Sequence, residues 1–160
     1  MTASLKILSG LDLTDRLKRY PMVPHRAFAG RRFSDRTANL LTASILRWLE
    51  LHGHYATRVN TMGRKLKDTA IVNVLGQTKV IPGRWIPGTT RKGTADIHSI
   101  IDGRHVSIEV KVGKDRMSEV QHDTMHDIES SGGIYYVAKD FDSFYQWYNT
   151  LKNRENVKKN

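Results

Sequence analysis

The chain has no cysteine. That absence excludes disulfide staples and thiolate metal sites, and it suits a reducing cytoplasm. There is also no apolar run near the roughly 20 residues that cross a bilayer, so no membrane partner is expected. The first residues hold no long apolar segment and read as lacking a signal peptide. A glycine-rich phosphate loop ending in Lys-Ser or Lys-Thr is missing, which excludes the commonest nucleotide-hydrolysis motif. No segment repeats. Acids are scarce: 16 Asp and Glu face 26 Lys and Arg, a formal net charge of +10.

The positive excess is unevenly placed. Residues 1–36 carry eight basic and three acidic side chains, and residues 152–160 carry four and one. Residues 64–92 hold seven basic side chains and one acid, which leaves the rest of the middle slightly acidic. Basic arms around an acidic centre suit a polyanion held over a cation-binding pocket. Basic ends that merely keep a small protein in solution give the same map. With 160 residues, 39% of them hydrophobic, one domain with a real core is expected. That domain spans 36–151. In residues 1–35 a short helix over 5–17 is stopped by Pro21 and Pro24, and the segment reads as a basic arm, partly ordered at best. Residues 152–160 read as a basic tail.

A first confident helix is expected from Ser34 or Asp35 to about His52, closed by Gly53. Leu41, Ile45, Trp48 and Leu49 recur at helical spacing and face a core, while Glu50 reads as a surface charge. A strand over 55–61 places Arg58 and Asn60 on one side. Residues 69–75 and 78–81 flank Gly76-Gln77 as an inserted β-hairpin, followed by a flexible loop to Arg91 and Lys92. Trp85 reads as a core filler ahead of a base-stacking surface. A helix over 118–131 buries Val120, Met125 and Ile128 and leaves His122 and His126 at the surface. Residues 134–138 form a compact interior strand. Asp140 opens a last helix to about 151, whose stripe of Phe141, Phe144, Tyr145 and Tyr148 packs on the sheet.

Residues 94–121 organise the rest. Two β-branched-rich runs, 95–101 and 105–112, are joined by Asp102-Gly103, a two-residue turn signal. Alternation puts Glu109 and Lys111 on one face of the second strand and Ile108, Val110 and Val112 on the other. Asp96 lies on the partner strand, and His98 shares its face. Two carboxylates and a backbone carbonyl can bind a hard cation such as Mg²⁺, which prefers oxygen ligands and keeps several waters. On this reading Asp96 and Glu109 are ligands, Val110 lends its carbonyl, and Lys111 faces a phosphate or holds the attacking water. Arg91, Lys92, Lys114 and Arg116 flank the site as phosphate contacts. Ser118 and Gln121 also spell a capping box, so Gln121 has both a structural role and a role in orienting water open to it.

Asp96 followed after twelve residues by Glu109-Val110-Lys111 resembles the core of the PD-(D/E)XK nuclease superfamily. Ser118-Glu119-Val120-Gln121, and Arg58-Val59-Asn60-Thr61 after an upstream helix, resemble its VRR-NUC branch, the virus-type replication-repair nucleases. The resemblance covers roughly residues 37–148. It implies a restriction-endonuclease-like α/β core, a mixed β-sheet flanked by helices, here with an inserted hairpin. It implies a DNA endonuclease using Mg²⁺, with Mn²⁺ as substitute, in a bacterial or phage-infected cell. Its catalytic residues would be Asp96, Glu109, Lys111 and Gln121, with Arg58 and Asn60 near the nucleic acid. Branched DNA and a homodimer are compatible with it. This sequence departs from the pattern at two places: Ala95 precedes Asp96 where the family has proline, and Asn39 stands where many members carry a first-helix glutamate. Two rivals therefore remain: a nucleic-acid-binding module on the same fold without catalysis, and a plain α/β domain whose Asp96, Glu109 and Lys111 pair across strands.

Overall fold

The computed structural model describes residues 2–59, 63–72, 74–86, 88 and 91–158, without the side chains of Arg64 and 154–158. A four-stranded mixed sheet carries the fold. Its strands are β1 (Tyr55–Arg58), β6 (Ile97–Ile101), β7 (Arg104–Val110) and β8 (Ile134–Ala138), side by side in that order. β1 and β6 pair antiparallel, as do β6 and β7, and β7 and β8 are parallel. The helices are α1 (Ala3–Arg19), α2 (Ala38–Leu51), α3 (Glu119–Ser130) and α4 (Phe141–Lys158). Between β1 and β6 lie β2 (Arg64–Lys65), β3 (Thr69–Val72), β4 (Thr78–Ile81) and β5 (Trp85–Ile86).

The sheet has one apolar and one polar face. Ile97, Ile101, Val106, Ile108, Val110 and Ala138 are buried in a single core with α1, α2 and α4. Alternation sends His98, His105, Ser107, Glu109 and Tyr135 to the opposite side. There α3 packs on β8, and its Gln121 reaches Glu109. The stripe expected on α2 is buried as read: Leu41, Ile45, Trp48 and Leu49 are all in the core. Thr37 is its cap, accepting the Leu40 N–H, so the helix starts later than Ser34 or Asp35. Asp35 instead accepts the N–H of Phe141 at 3.2 Å and ties the α2 approach to α4. On α4, Phe141, Phe144 and Tyr148 are buried, so the aromatic stripe packs rather than stacks on a ligand.

The N-terminal segment corrects the sequence reading. It forms a full helix, and Leu5 and Leu8 lie in the core, each contributing roughly 1.5–3 kcal/mol by burial. The Thr14 hydroxyl donates to the Gly10 carbonyl within the helix. Asp12, only 1% exposed, accepts from Arg47 of α2 at 2.7 Å and pairs with Arg16 at 3.0 Å. Arg47 also reaches Asp15 and Glu50, and Ser4 hydrogen-bonds Asp142 of α4. Residues 3–19 are thus a packed layer, not an arm. At the other end α4 continues through Lys158, across the stretch expected as a tail.

Candidate active site

The site grows from the β6–β7 hairpin. Asp102 (φ 49°) and Gly103 (φ 81°) both adopt positive φ, the geometry of a turn whose twist matches the flanking strands. Lys152 of α4 holds Asp102 with its ammonium at 2.7 Å. The turn sets a register with Ile97 opposite Ile108, so Asp96 comes level with Glu109 at the end of the sheet. Asp96 is anchored through its backbone: its carbonyl accepts the Val59 N–H at 2.8 Å. Its Oδ2 accepts the Val110 N–H at 3.0 Å. Asp96 and Val110 are therefore in direct contact, through the Val110 N–H and not through the carbonyl expected to hold a cation.

Glu109 is the central group. It is 2% exposed, an uncommon environment for a carboxylate. Its Oε1 accepts from the Gln121 amide at 2.5 Å and from the Lys111 ammonium at 3.1 Å. Its Oε2 is buried with no hydrogen-bond partner among the described residues. Burial raises the Glu109 pKa, Asp96 and Asp115 raise it further, and Lys111 offsets part of the shift. Burial works against the Lys111 charge, but Glu109 and Asp115 outweigh it and hold the ammonium above its ordinary pKa. Asp115, in the loop before α3, lies 3.5 Å from that ammonium.

Gln121 takes the structural role and also reaches Glu109. Its amide oxygen accepts the Ser118 N–H at 2.9 Å while its NH₂ donates to Glu109, so the capping box and the site share one side chain. The α3 N-terminus is brought to the strand by Gly93, at φ 81°: a Cβ there would lie 2.6 Å from the Val120 carbonyl. α3 buries Thr124; Val120 is exposed, and Met125 and Ile128 are only half-buried, against the expectation of an apolar inner side. His122 and His126 are exposed as read.

Asn39 and Arg58 form a pair of their own, with the Arg58 guanidinium donating to Asn39 Oδ1 at 2.6 Å. Arg58 directly precedes Val59, whose N–H binds Asp96, so the pair stands at the carboxylate end of the sheet. Asn60 lies outside the described residues. Lys92, Lys114 and Arg116 are exposed. Arg91, read as a phosphate contact, is exposed and its guanidinium is paired with Asp127 of α3 at 2.6 Å. Asp127 lies six residues beyond Gln121, about 9 Å along the helix. Arg91 is thereby tied towards the far end of α3, beside a cleft that His105 and Ile128 also line.

Three neighbours of the site carry no sequence signal of their own. Tyr135 is level with Ser107 on the parallel strand and faces Glu109 from the side. Its hydroxyl is buried without a well-aligned partner, and burial and the two carboxylates push its pKa above the ordinary tyrosine value. Ser107, fully buried, adds another unpartnered hydroxyl. Asp115 sits four residues after Lys111, in a loop that no periodicity marks. His98 is half-buried next to His105, 3.2 Å between ring nitrogens, and partial burial followed by that neighbour lowers its pKa.

The donor set fits a hard cation. Glu109 Oε2 is a buried acceptor with no well-aligned partner among the described residues, and Asp96 retains a second oxygen. Among the described residues no three His, Asp or Glu side chains converge on one point, so two carboxylates are the protein's anionic share. That composition suits Mg²⁺, which takes one or two carboxylates and keeps water or phosphate in its other positions. No helix among the described residues is long and apolar enough to cross a membrane. The chain matches no protein-family model and no curated protein sequence.

Proposed function

We propose that the chain is a metal-dependent DNA endonuclease on a restriction-endonuclease-like core, hydrolysing phosphodiester bonds. One observation carries the reading: a buried glutamate whose one oxygen is clamped by Lys111 and Gln121 while the other, near Asp96 and the Tyr135 hydroxyl, has no well-aligned hydrogen-bond partner among the described residues. A carboxylate kept at such cost in a buried place is the mark of a group with a task. Asp96, Glu109 and the Val110 carbonyl would hold Mg²⁺ or Mn²⁺. The bound ion would lower the pKa of a water and offset charge on the phosphate. Lys111 keeps its proton and supplies a positive charge beside Glu109 for a phosphate oxygen. Gln121 fixes the Glu109 carboxylate by its Oε1 and so aims Oε2. Arg58, Lys92, Lys114 and Arg116 supply charge for the nucleic-acid backbone. Branched DNA as substrate, a homodimer, and a cytoplasmic role in bacterial or phage replication, recombination or repair belong to the same proposal.

A second reading is a DNA-binding module without catalysis. The observation in its favour is Asn39, which stands in the first turn of α2 in place of an acid and gives its oxygen to Arg58. The two separate in one experiment. Labelled linear, single-stranded, flapped and four-way-junction DNA are incubated with protein and Mg²⁺, Mn²⁺ or EDTA, beside Glu109→Ala and Lys111→Ala. Metal-dependent cutting lost in both variants supports the nuclease. Protein that binds DNA but cuts nothing with either metal supports the module.

A further inference from the structure

The structure assigns a second nucleic-acid-contacting element: residues 64–72 and 74–86 form a β-ribbon that lies along a groove of duplex DNA, with Val74 and Leu75 wedged at a base step. This deepens the proposal that the chain acts on DNA and rests on it. β2 pairs with β5 and β3 with β4, and neither pair joins the main sheet. The two pairs form one arm. The Leu66 N–H donates to the Arg84 carbonyl at 3.0 Å, and the Gly83 N–H donates to Asp68 at 2.8 Å. Gly83 permits that approach, since a Cβ there would overlap the Leu66 carbonyl. At strand rise the arm reaches on the order of 30 Å from its base to its tip.

Every residue of β3 and β4 is exposed, and Ile71, Val72, Val80 and Ile81 are each about half open to solvent. Val74 at the turn is fully exposed and Leu75 is 79% exposed. An isolated two-stranded hairpin is marginal in water, so a surface of this kind is built to be covered. Charge decides by what. Lys65 and Lys67 lie on the outgoing strand side, and Lys79 and Arg84 on the return, all exposed. Protein interfaces deplete lysine at their centres. A duplex groove presents a phosphate backbone on each border, which matches basic side chains on both strands of the ribbon. Apolar tips inserted between base steps are a known means of kinking DNA. Trp85, expected in the core, is 62% exposed at the base of the arm and adds a flat apolar surface there.

The test uses the full-length protein in EDTA, where metal-dependent cutting does not interfere. The probe is a duplex with a central 2-aminopurine and a dye pair on its ends. Wild-type protein should raise the 2-aminopurine signal and draw the ends together. Val74→Ser with Leu75→Ser should lose both signals while affinity changes by less than roughly threefold, because phosphate contacts dominate affinity. Lys67→Gln with Lys79→Gln should weaken binding by roughly tenfold at low salt and make the salt dependence shallower by roughly two counterions. An unchanged signal in the tip variant overturns the wedge. Unchanged affinity and salt slope in the lysine variant overturn the groove contact. A tip variant that turns a dimer into a monomer in sedimentation, with DNA binding intact, makes the arm a contact between chains instead. Protein that unstacks the duplex but never cuts keeps the ribbon and loses the nuclease. Protein that cuts while both variants match wild type loses the ribbon alone.

Discussion

Replacing Gln121 with alanine removes two interactions from one side chain. Its amide oxygen closes the α3 capping box, and its NH₂ holds the buried Glu109 carboxylate at 2.5 Å. Loss of a cap costs about 1 kcal/mol. A hydrogen bond to a charged group contributes about 1.5–3 kcal/mol. The lower end applies because Gln121 is itself only half-buried, so the sum is about 2.5 kcal/mol. For a chain of this size 1 kcal/mol moves the melting temperature by about 2–4 °C, so Gln121→Ala should lower Tm by about 5–10 °C. Ser118→Ala breaks the cap but leaves Glu109 its amide, and should lower Tm by only about 2–4 °C. Calorimetry in EDTA reads both. The gap between the variants should be full where Glu109 is ionised and shrink in acid, because a protonated carboxyl gains less from the donor. Losing that donor also raises the Glu109 pKa further. Mn²⁺ binding by Gln121→Ala should therefore weaken near neutrality and recover in alkaline buffer, since the ligand must be deprotonated. If the two variants melt together at every pH and bind Mn²⁺ equally, Gln121 is a cap and nothing more.

Glu109→Gln should gain on the metal-free wild type as pH rises from acid to neutral, from an offset set by loss of the Lys111 pair. The folded pKa of Glu109 is raised, so the penalty for its charge is absent below the unfolded value and grows as pH rises through the folded one. Denaturant melts in EDTA from acid to neutral pH should show the variant gaining, and a constant gap throughout would remove the buried-charge argument. Leu8→Ala should cost about 2–5 kcal/mol, because Leu8 is fully buried beneath α2 and α4; an unchanged melt would restore residues 1–35 to the status of an arm. His98 has a lowered pKa, so the unfolded chain takes up its proton first, and stability should fall as pH drops through the ordinary histidine value near 6.5. NMR titration of the His98 ring checks this, and a midpoint at or above that value refutes it.

What the sequence by itself determined was local. The alternation of Glu109 and Lys111 against Ile108 and Val110, the Asp102-Gly103 turn, the α2 stripe and the Ser118–Gln121 box all depend on neighbours within a few residues. Backbone periodicity carries that information directly, and from it the mixed α/β order and the pairing of Asp96 with Glu109 were legible. What only the tertiary structure decided involves partners far apart in the chain. α1 was read as part of an arm because its run of Leu and Ile is short and stopped by Pro21 and Pro24; Asp12 meeting Arg47 and Ser4 meeting Asp142 join it to the packed layers. Arg91 reads as a free phosphate contact until α3 brings Asp127 to it. Tyr135 and Ser107 gain meaning from the β7–β8 register, which no residue of β8 announces. Trp85 is exposed because its strands pair with each other and not with the main sheet. In each case the deciding quantity is which distant surface covers a side chain, and that follows from the packing of layers rather than from the local pattern.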